Sequence, residues 1–477
     1  MYDTYQNPLC TRYATKDMQY NFSDDKTFKI WRRLWIALAE TQKELGLDIS
    51  QEQINELIQY KDDVNIEVAK KYEKETRHDV ISHIRAYGDQ CPSAKPIIHL
   101  GATSCYIKDN AEIIQMAHGL KILKKKLVNV IYSLADFAMQ TKDIPALSYT
   151  HLQPAQLETV GKRATLWLQD LVMDYYDLED VLENLPLRGA KGTTGTQASF
   201  LSLFNGDNEK CKKLDKMIVE KMGFKACVPV SGQTYTRKID HKVMSLLSSI
   251  AQSCYKFADD MRILQSFKEL EEPFEAKQVG SSAMPYKRNP MRCERICGLA
   301  RFVMTCDINA ANTAATQWLE RTLDDSANRR IIIPQAFLAT DAILNVYLNV
   351  TKGIVVNKQV INKRINQELP FMATETILML GVKKGGDRQE LHEKIREYSM
   401  VAAKGVKERG EENNLLSMIV ADPMFRISQE EINSILDPKN FIGRSPMQVV
   451  EFVDEIIKPI LNDNKDYLGQ VTSNLDV

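Results

Sequence analysis

The chain has 477 residues, of which 44% are hydrophobic and 26% are charged, so it can bury a large core and form more than one domain. Its 62 Lys and Arg residues balance 63 Asp and Glu residues, and the formal net charge is -1. This balance gives no global electrostatic reason to expect nucleic acid or an anionic membrane as a partner. Any anion site must therefore be local.

The N-terminus and the cysteines favour a cytoplasmic protein. The first residues, MYDTYQNPLCTRYATKD, hold no apolar core flanked by basic residues, and no uninterrupted apolar run is long enough to span a bilayer. The nine cysteines form no CxxC pair, and the nearest two, Cys293 and Cys297, lack the two further ligands of a structural zinc. We expect reduced thiols and no metal.

Helical periodicity dominates the sequence, and strand-type alternation is rare. A first helix should begin after Ser23, a suitable N-cap, and stop near Gly46. Three longer helices follow, and the first of them has an apolar stripe formed by Leu120, Leu123, Leu127, Val130, Leu134 and Phe137. A second long helix should open with Pro154 at its first position and continue through Leu157, Leu168, Leu171, Leu178 and Leu182. The third has the most regular stripe, formed by Val243, Leu247, Ile250, Cys254, Phe257, Met261 and Leu264.

These stripes, with a fourth helix over about residues 328–351, predict an all-α fold whose long helices pack at shallow angles. We expect an N-terminal helical domain over 1–105, a central bundle over 106–356 and a smaller C-terminal helical domain over 357–477. Helices of this length bury more than one face, which favours a homo-oligomer. A monomeric bundle is the alternative.

Polar connections between the long helices are the candidate sites, because loops held by rigid elements often carry chemistry. One of them, RGAKGTTGTQ near residue 192, could turn backbone N–H groups towards an anion. It is a weak match to a phosphate-binding loop, since Lys191 precedes the glycines instead of ending a GK[ST] motif. The segment either binds a carboxylate or is a structural turn.

Two of the seven histidines stand in contexts that suit proton transfer. His78 lies between Arg77 and Asp79, and His151 lies in YTHLQPAQ, just before the expected start of a helix. A helix N-terminus disfavours protonation of an imidazole, which makes a responsive acid or base. Each could instead be a capping or packing residue. The other five are expected to be structural: His83, His99, His118, His241 and His392.

Three of the connecting segments, TSCYIKDN, THLQPAQ and GSSAMPYKRNPM, can meet at one end of a bundle or at a subunit boundary. They lack the GxSxG elbow of a serine hydrolase. GSSAMPYKRNP resembles the signature loop of the fumarase/aspartase superfamily, and THLQPAQ resembles its second signature region. Within it, RHDV, HLGATSCY, GTTGTQASF, SGQTYTRK and ERTLDDSANRR resemble the adenylosuccinate lyases of the animal type, and the resemblance covers nearly the whole chain.

The resemblance implies a three-domain all-α fold and a β-elimination of fumarate from adenylosuccinate and from the succinylated aminoimidazole carboxamide ribotide, SAICAR. Such a reaction needs a base for a weakly acidic carbon and an acid for the leaving nitrogen. The resemblance implies that Ser281 is the base and His151 the acid, while Lys287 and Asn289 hold a succinyl carboxylate. A serine base must be activated, for which Lys287 and the backbone around Gly280 are candidates.

The resemblance also implies a set of substrate-binding residues, with arginines whose guanidinium groups suit phosphate. This set comprises Arg12, Tyr13, Arg77, Asp79, Thr103, Ser104, Gln233, Arg295, Arg321, Ser326 and Arg330. His78 resembles a family residue that lies near the phosphate of the substrate. We therefore expect it to assist the acid and the base, and not to be the acid itself. The implied enzyme is a homotetramer whose sites draw loops from three subunits, and its partners are nucleotide substrates. It needs no cofactor or metal.

Two other functions are compatible with parts of this pattern. Argininosuccinate lyase, fumarase and aspartase share the signature loop, but their substrates carry no phosphate and would not need the arginine set. A catalytically silent homologue with a structural role would be marked by loss of Ser281, His151 or Lys287. All three residues are present.

Overall fold

A computed structural model describes residues 3–275 and 277–471. The N-terminal part contains α1 (Lys16–Asn21), α2 (Asp24–Glu44), α3 (Gln51–Gln59), α4 (Ile66–Thr76) and α5 (Asp79–Gln90). The middle contains α6 (Ser104–Gln140), α7 (Val160–Asn184), α8 (Ala198–Leu203), α9 (Asn208–Lys221), α10 (Lys238–Ser266), α11 (Met291–Ala315) and α12 (Asp324–Thr351). The remainder contains α13 (Lys358–Met372), α14 (Thr374–Lys383), α15 (Arg388–Lys404), α16 (Leu415–Ala421), α17 (Gln429–Ile435), α18 (Ser445–Phe452) and α19 (Lys458–Asp463). Four strands are present among the described residues: β1 (Pro145–Thr150), β2 (Gln153–Thr159), β3 (Leu270–Glu271) and β4 (Val355–Val356).

The five long helices α6, α7, α10, α11 and α12 pack together. Four of them are predicted from the sequence, and α11 is an addition. The predicted stripe residues of α6 and α10 are buried, and aromatic rings fill the centre of the bundle. The rings of Phe257 and Tyr347 stack 4.0 Å apart, and Trp167 meets Phe257 edge-on at 5.1 Å. The prediction of an all-α fold with a central long-helix bundle is confirmed, with two small two-stranded ribbons added to it.

Capping residues set several helix ends where the sequence predicts them. The Ser23 side chain accepts a hydrogen bond from the Lys26 N–H at the start of α2, and Gly46 adopts a φ of +98° just beyond its end. These local signals are strong because they satisfy backbone groups that a helix end leaves without partners.

The predicted start of the second long helix is wrong. Residues from Pro145 to Thr159 form the antiparallel hairpin β1–β2, with Pro154 inside β2, and α7 begins only at Val160. The Thr159 side chain is the N-cap, since it accepts a hydrogen bond from the Lys162 N–H. Gly161 follows because any side chain there would collide with the Ala138 carbonyl at the end of α6. The start signal is thus Thr159, and Pro154 is a strand residue.

The C-terminal part contributes to two cores. Residues from Ala373 to Ile432 bury a small cluster of their own, whereas residues from Ile442 to Ile460 join the main core. Helices α18 and α19 accordingly pack against α7 and α6. The division into three domains at residues 105 and 356 stays a prediction.

One described helix, α12, is long and apolar enough to cross a membrane by length and composition alone. However, 78% of its apolar window is buried inside the protein, as in the core helix of a globular fold. None of the nine cysteines is in a disulfide, and eight of them are buried or half-buried.

The histidines on the inner faces of the N-terminal half make the folded state sensitive to acid. Burial, reinforced by the nearby Arg32 charge, lowers the pKa of His83 from 6.5 to about 4. Burial likewise lowers the pKa of His99 and His118 to about 4. The folded protein thus keeps these rings neutral where the unfolded chain would protonate them.

We therefore predict that stability is complete above pH 6.5 and falls as the pH drops from about 6.5 to about 4. Each such histidine contributes a slope of up to about 1.4 kcal/mol per pH unit. His83→Phe keeps a ring beside Phe28, where the centroids are 3.8 Å apart, and removes one titrating group. Urea unfolding between pH 7 and 5 should show a shallower slope for this variant.

The exposed residue His392 supplies the control, and His392→Gln should leave the slope unchanged. An equal slope for His83→Phe and the parent would contradict the assignment.

Candidate active site

Seven of the predicted site residues line one open cleft of about 870 Å³ where α5, α6 and α12 begin. They are Arg77, His78, Asp79, Ser104, Arg321, Ser326 and Arg330. Helix N-termini present free backbone N–H groups, so their convergence with arginines makes this end of the bundle suited to an anion.

Asp79 is the centre of charge in this cleft. Its carboxylate lies 2.7 Å from the Lys108 ammonium and 3.4 Å from the Arg330 guanidinium. Burial acts to raise the pKa of Asp79, but the hydrogen bond and charge of Lys108, the Val80 N–H and Arg330 outweigh it and lower the pKa. Asp79 is therefore an anion that orients two cations, and a ligand anion would have to share them.

Lys108 is a site residue that the sequence analysis missed. It lies four residues after Ser104, so both stand on one face of α6 and line the same cleft. The i, i+4 spacing from a predicted binding residue was the available signal.

His78 stands at a helix start, as predicted. It is the N-cap of α5, and its Nδ1 accepts a hydrogen bond from the Ile81 N–H at 3.3 Å. The same Nδ1 lies 3.8 Å from the Asp79 carboxylate. Before it, Arg77 ends α4 with a φ of +52°, an uncommon left-handed conformation for a residue with a side chain. This sharp turn brings both side chains to the cleft.

Gln233 and Arg321 are held together at the other wall of the cleft. The Arg321 guanidinium donates to the Gln233 side-chain oxygen at 2.5 Å and lies 2.9 Å from the Cys105 sulfur. Thr103 is the N-cap residue of α6, next to Ser104. Thr103, Ser104 and Gln233, which belong to the predicted substrate-binding set, thus adjoin the arginine cleft.

A buried network of ion pairs fixes the helices that carry these residues. Arg237 donates to Asp325 at 2.8 Å and lies 3.4 Å from Asp109, which ties α12 to α6. Arg329 donates to Asp240 at 2.6 Å and to the Tyr235 hydroxyl at 2.6 Å. Asp325 and Arg329 flank Ser326 and Arg330 on α12, so the network orients the site residues beside them. Buried charges paired on several sides cost far more to break singly than surface pairs.

The segment RGAKGTTGTQ supports this wall and offers no lysine to an anion. The Lys191 ammonium is buried and pairs with Asp215 at 2.5 Å. Gly195 adopts a φ of +84° and packs against the Ser231 carbonyl, where no side chain would fit. The structure therefore favours the structural-turn alternative, in which the loop backs the segment that contains Gln233.

The signature loop, with Ser281, Lys287 and Asn289, lies elsewhere, between α10 and α11. Ser281 is half-buried, and its Oγ accepts hydrogen bonds from the N–H groups of Ala283 at 3.3 Å and Met284 at 3.1 Å. Donors of this kind stabilise negative charge on the serine oxygen. These two backbone donors are therefore one means by which a serine in this loop could be activated as a base.

Two contacts give this exposed loop its shape. The Asn289 side-chain amide donates to the Gly280 carbonyl at 2.7 Å. Gly280 also lies so close to the Lys287 carbonyl that a side chain would not fit, which explains the glycine by close approach. Pro290 is the N-cap residue of α11, one position before the helix begins.

His151 lies at the tip of the β1–β2 hairpin, and the expectation that it precedes a helix start is wrong. His151 and Leu152 form a two-residue turn with φ values of +55° and +57°, the mirror-image turn that suits a hairpin. The helix-dipole argument for its acidity therefore does not apply. The exposed imidazole is instead presented at the end of the ribbon.

The hairpin is anchored two residues before this tip. The Tyr149 hydroxyl donates to the buried Glu269 carboxylate at 2.9 Å, and Arg364 pairs with the same carboxylate at 2.7 Å. Arg364 also donates to the Tyr149 hydroxyl at 3.1 Å. The tip of the ribbon is thus held by α13 and by the segment after α10.

Within one chain, the cleft and the two signature segments lie at opposite ends of the bundle. The cleft adjoins Ser104 at the start of α6, whereas Gly161 at the start of α7 bonds to Thr141 just after α6 ends. The hairpin and the signature loop belong to this second end, where Tyr149 meets Glu269. Helix α6 has 37 residues, so about 55 Å separates its ends.

The remaining predicted residues, Arg12, Tyr13 and Arg295, line a second cavity of about 630 Å³ on the flank of the bundle. The Arg295 guanidinium lies over the Tyr13 ring, 5.5 Å from its centroid. One chain therefore does not bring all the predicted residues together. Among the described residues, no group of three or more His, Cys, Asp or Glu is placed to hold a metal ion.

Comparisons with known proteins identify the family of proteins that the chain is similar to. A family profile described as a lyase matches residues 10–305, and one described as the adenylosuccinate lyase C-terminus matches residues 370–452. The adenylosuccinate lyase of Saccharomyces cerevisiae is 50% identical, with 100% of this chain and 99% of the relative aligned. That of Schistosoma mansoni is 46% identical over the same shares.

Solved structures agree with the fold. A 3-carboxy-cis,cis-muconate lactonizing enzyme from Pseudomonas putida superposes with a TM-score of 0.82 at 20% identity, over 95% of this chain and 100% of that chain. A fumarate lyase from Mesorhizobium superposes with a TM-score of 0.78 at 20% identity, over 95% and 99%. At these identities the likeness concerns the fold alone.

The close packing of the cleft wall predicts that a side chain at Gly232 lowers the stability of the protein. A methyl group there would collide with the backbone of Glu320, whose carbonyl accepts a hydrogen bond from the Gln233 N–H at 3.0 Å. Gly232→Ala should therefore push two site segments apart and cost about 1–3 kcal/mol of unfolding free energy, measured by urea denaturation.

Gly298, in α11, has open space at its Cα and provides the matched control. Gly298→Ala should be neutral or stabilise the protein by up to about 1 kcal/mol. A parental midpoint for Gly232→Ala would show that the two segments are not in tight contact.

Proposed function

The chain belongs to the adenylosuccinate lyase family, from which we infer that it eliminates fumarate from adenylosuccinate, giving AMP, and from SAICAR, giving AICAR. The observation that supports this is the alignment of the whole chain with adenylosuccinate lyases at 46% to 50% identity, with the three predicted catalytic residues present. The reaction breaks a carbon–nitrogen bond and places the activity in purine nucleotide biosynthesis.

In the proposed mechanism, Ser281 removes the proton from the carbon next to a succinyl carboxylate. The negative charge then moves into that carboxylate, where Lys287 and Asn289 stabilise it. The bond to the purine or imidazole nitrogen breaks, and His151 protonates the leaving nitrogen. The two backbone N–H groups at the Ser281 Oγ support the base by stabilising its deprotonated form.

The nucleotide is proposed to occupy the arginine cleft. Arg77, Arg321 and Arg330 supply guanidinium groups for the phosphate, with His78 and Ser326 beside them. Thr103, Ser104 and Gln233 lie next to this cleft and are proposed to hold the succinyl part. Arg12, Tyr13 and Arg295 complete the nucleotide contacts from another subunit.

We propose a homotetramer with shared active sites, and the distance between the groups supports it. Helix α6 keeps the cleft about 55 Å from the signature segments, and a neighbouring antiparallel bundle is proposed to bring the two ends together. Exposed apolar side chains on α7 are available for such contacts, since Leu166, Met173 and Tyr176 share one face. We place the enzyme in the cytoplasm, in keeping with its unpaired cysteines.

Another fumarate-releasing lyase fits less well. The cleft gathers three arginines and a lysine at helix N-termini, as a phosphate requires, whereas argininosuccinate lyase, fumarase and aspartase handle substrates without phosphate. A silent structural homologue would not need to retain the catalytic residues.

We predict that Ser281→Ala and His151→Ala each lower turnover of adenylosuccinate by roughly two or more orders of magnitude, because each removes a proton-transfer group. The absorbance change on cleavage measures the rate. An inactive parent would contradict the function, and near-parental turnover of either variant would contradict the role of that residue.

Mixing variants from the two ends of the bundle tests whether subunits share sites. Hetero-oligomers reassembled from Ser281→Ala and His78→Ala chains should regain part of the activity, because some sites then combine an intact signature loop with an intact cleft. A mixture of Ser281→Ala and Lys287→Ala should regain none, since one loop supplies both residues. Failure of the first mixture to recover would place the whole site in one subunit.

A further inference from the structure

The cavity on the bundle flank is far more basic than the rest of the molecule. Six basic side chains line it, against a single acidic one, Asp17. The six are Arg12, Lys16, Lys121, Lys125, Lys126 and Arg295. The whole chain has a formal net charge of -1, so this concentration is a local feature.

Four of the six cations have no ion-pair partner among the described residues. Lys126 is different, because it is buried and pairs with the buried Asp341, which also accepts from the Thr15 N–H at 2.8 Å. Among residues 3–275 and 277–471, no carboxylate lies within ion-pair distance of Arg12, Lys16, Lys121 or Lys125. Neighbouring like charges destabilise one another, so an anion in the cavity would relieve a cost already present in the fold.

The cations are spread along the cavity and do not surround a single point. Lys121 and Lys125 stand one turn apart on α6, on the same face, while Lys16 opens α1 and Arg12 lies on the segment before it. Burial lowers the pKa of Arg295; Tyr13 acts in the opposite direction, and the neighbouring charge of Arg12 adds to the lowering. The cavity of about 630 Å³ also exceeds what one phosphate needs.

We propose that this cavity is a polyphosphate site: it binds a chain of two or more phosphates, with Lys16, Lys121 and Lys125 holding the phosphate groups beyond those that Arg12 and Arg295 reach. Lys16, Lys121 and Lys125 extend this site beyond the residues that the nucleotide substrate is proposed to use. Because Arg12 and Arg295 belong to both sets, a bound polyphosphate competes with the substrate. This competition rests on the proposed function, whereas the binding itself does not.

Direct binding is the primary test, with inorganic pyrophosphate as the probe and isothermal titration of the full-length protein without substrate. The parent should bind pyrophosphate, and the dissociation constant should rise with salt, as for other contacts between exposed charges. Lys121→Gln/Lys125→Gln should weaken binding by about tenfold or more, since two charge-assisted contacts are lost. Lys16→Gln, on the short helix α1, should weaken it less and serves if the double variant folds poorly.

Lys212→Gln/Lys216→Gln provides the matched control, because these exposed lysines of α9 have the same spacing and carry the same total charge. This variant should bind like the parent. No binding by the parent at millimolar pyrophosphate would overturn the proposal, as would equal binding by the Lys121/Lys125 variant.

Steady-state kinetics then test the competition. Pyrophosphate should raise the KM for adenylosuccinate without changing kcat in the parent, and Lys121→Gln/Lys125→Gln should lose this effect while its own kcat stays parental. Binding without any change in KM would refute the competition and leave the cleavage activity itself unaffected.

Discussion

The length of helix α6 is the constraint on which the functional organisation depends. A continuous helix of 37 residues is a rigid spacer, and it separates the arginine cleft from the hairpin and the signature loop by about 55 Å. No side chain can bridge that distance, and the packed bundle leaves no room for the helix to bend back. The secondary structure therefore supports the proposal that other copies of the chain complete each site.

The two ends of the bundle are built with different stiffness. At the cleft, Arg237 and Arg329 lie in a fully buried set of ion pairs that joins α6, α10 and α12. At the other end, the signature loop is exposed over most of its length, and its shape rests on a few local hydrogen bonds. A rigid binding wall and a loosely held loop are a suitable pair for an enzyme that must admit a large substrate and then exclude water.

Much of the architecture could be predicted from the sequence because the signals were local. The stripe from Val243 to Leu264 and the N-cap at Ser23 depend only on neighbours in the chain, and both appear as expected. The hairpin around His151 was mistaken for a helix start because Pro154 is compatible with either structure. What decides between them is the contact of Gly161 with α6, which is distant in sequence.

The candidate site, like the fold, could be predicted from the sequence only in part. The candidate residues followed from motifs, and seven of them meet in one cleft. Lys108, Arg237 and Arg329 lie inside the quoted motif segments, but the motifs do not reveal their ion pairs, because the partners come from other helices. Their roles depend on tertiary packing, which periodicity in a single sequence does not encode.

The anchoring of the hairpin by Arg364 has a consequence for how variants of this protein are interpreted. Arg364 is 213 residues from His151 in the chain, yet it joins Glu269 in holding Tyr149, two positions from the proposed acid. A surface-like change on α13 would thus free the ribbon that presents the imidazole, while leaving the fold and the cleft intact. Such a variant would retain its affinity for the nucleotide and lose its chemistry, a phenotype normally assigned to the catalytic residues themselves.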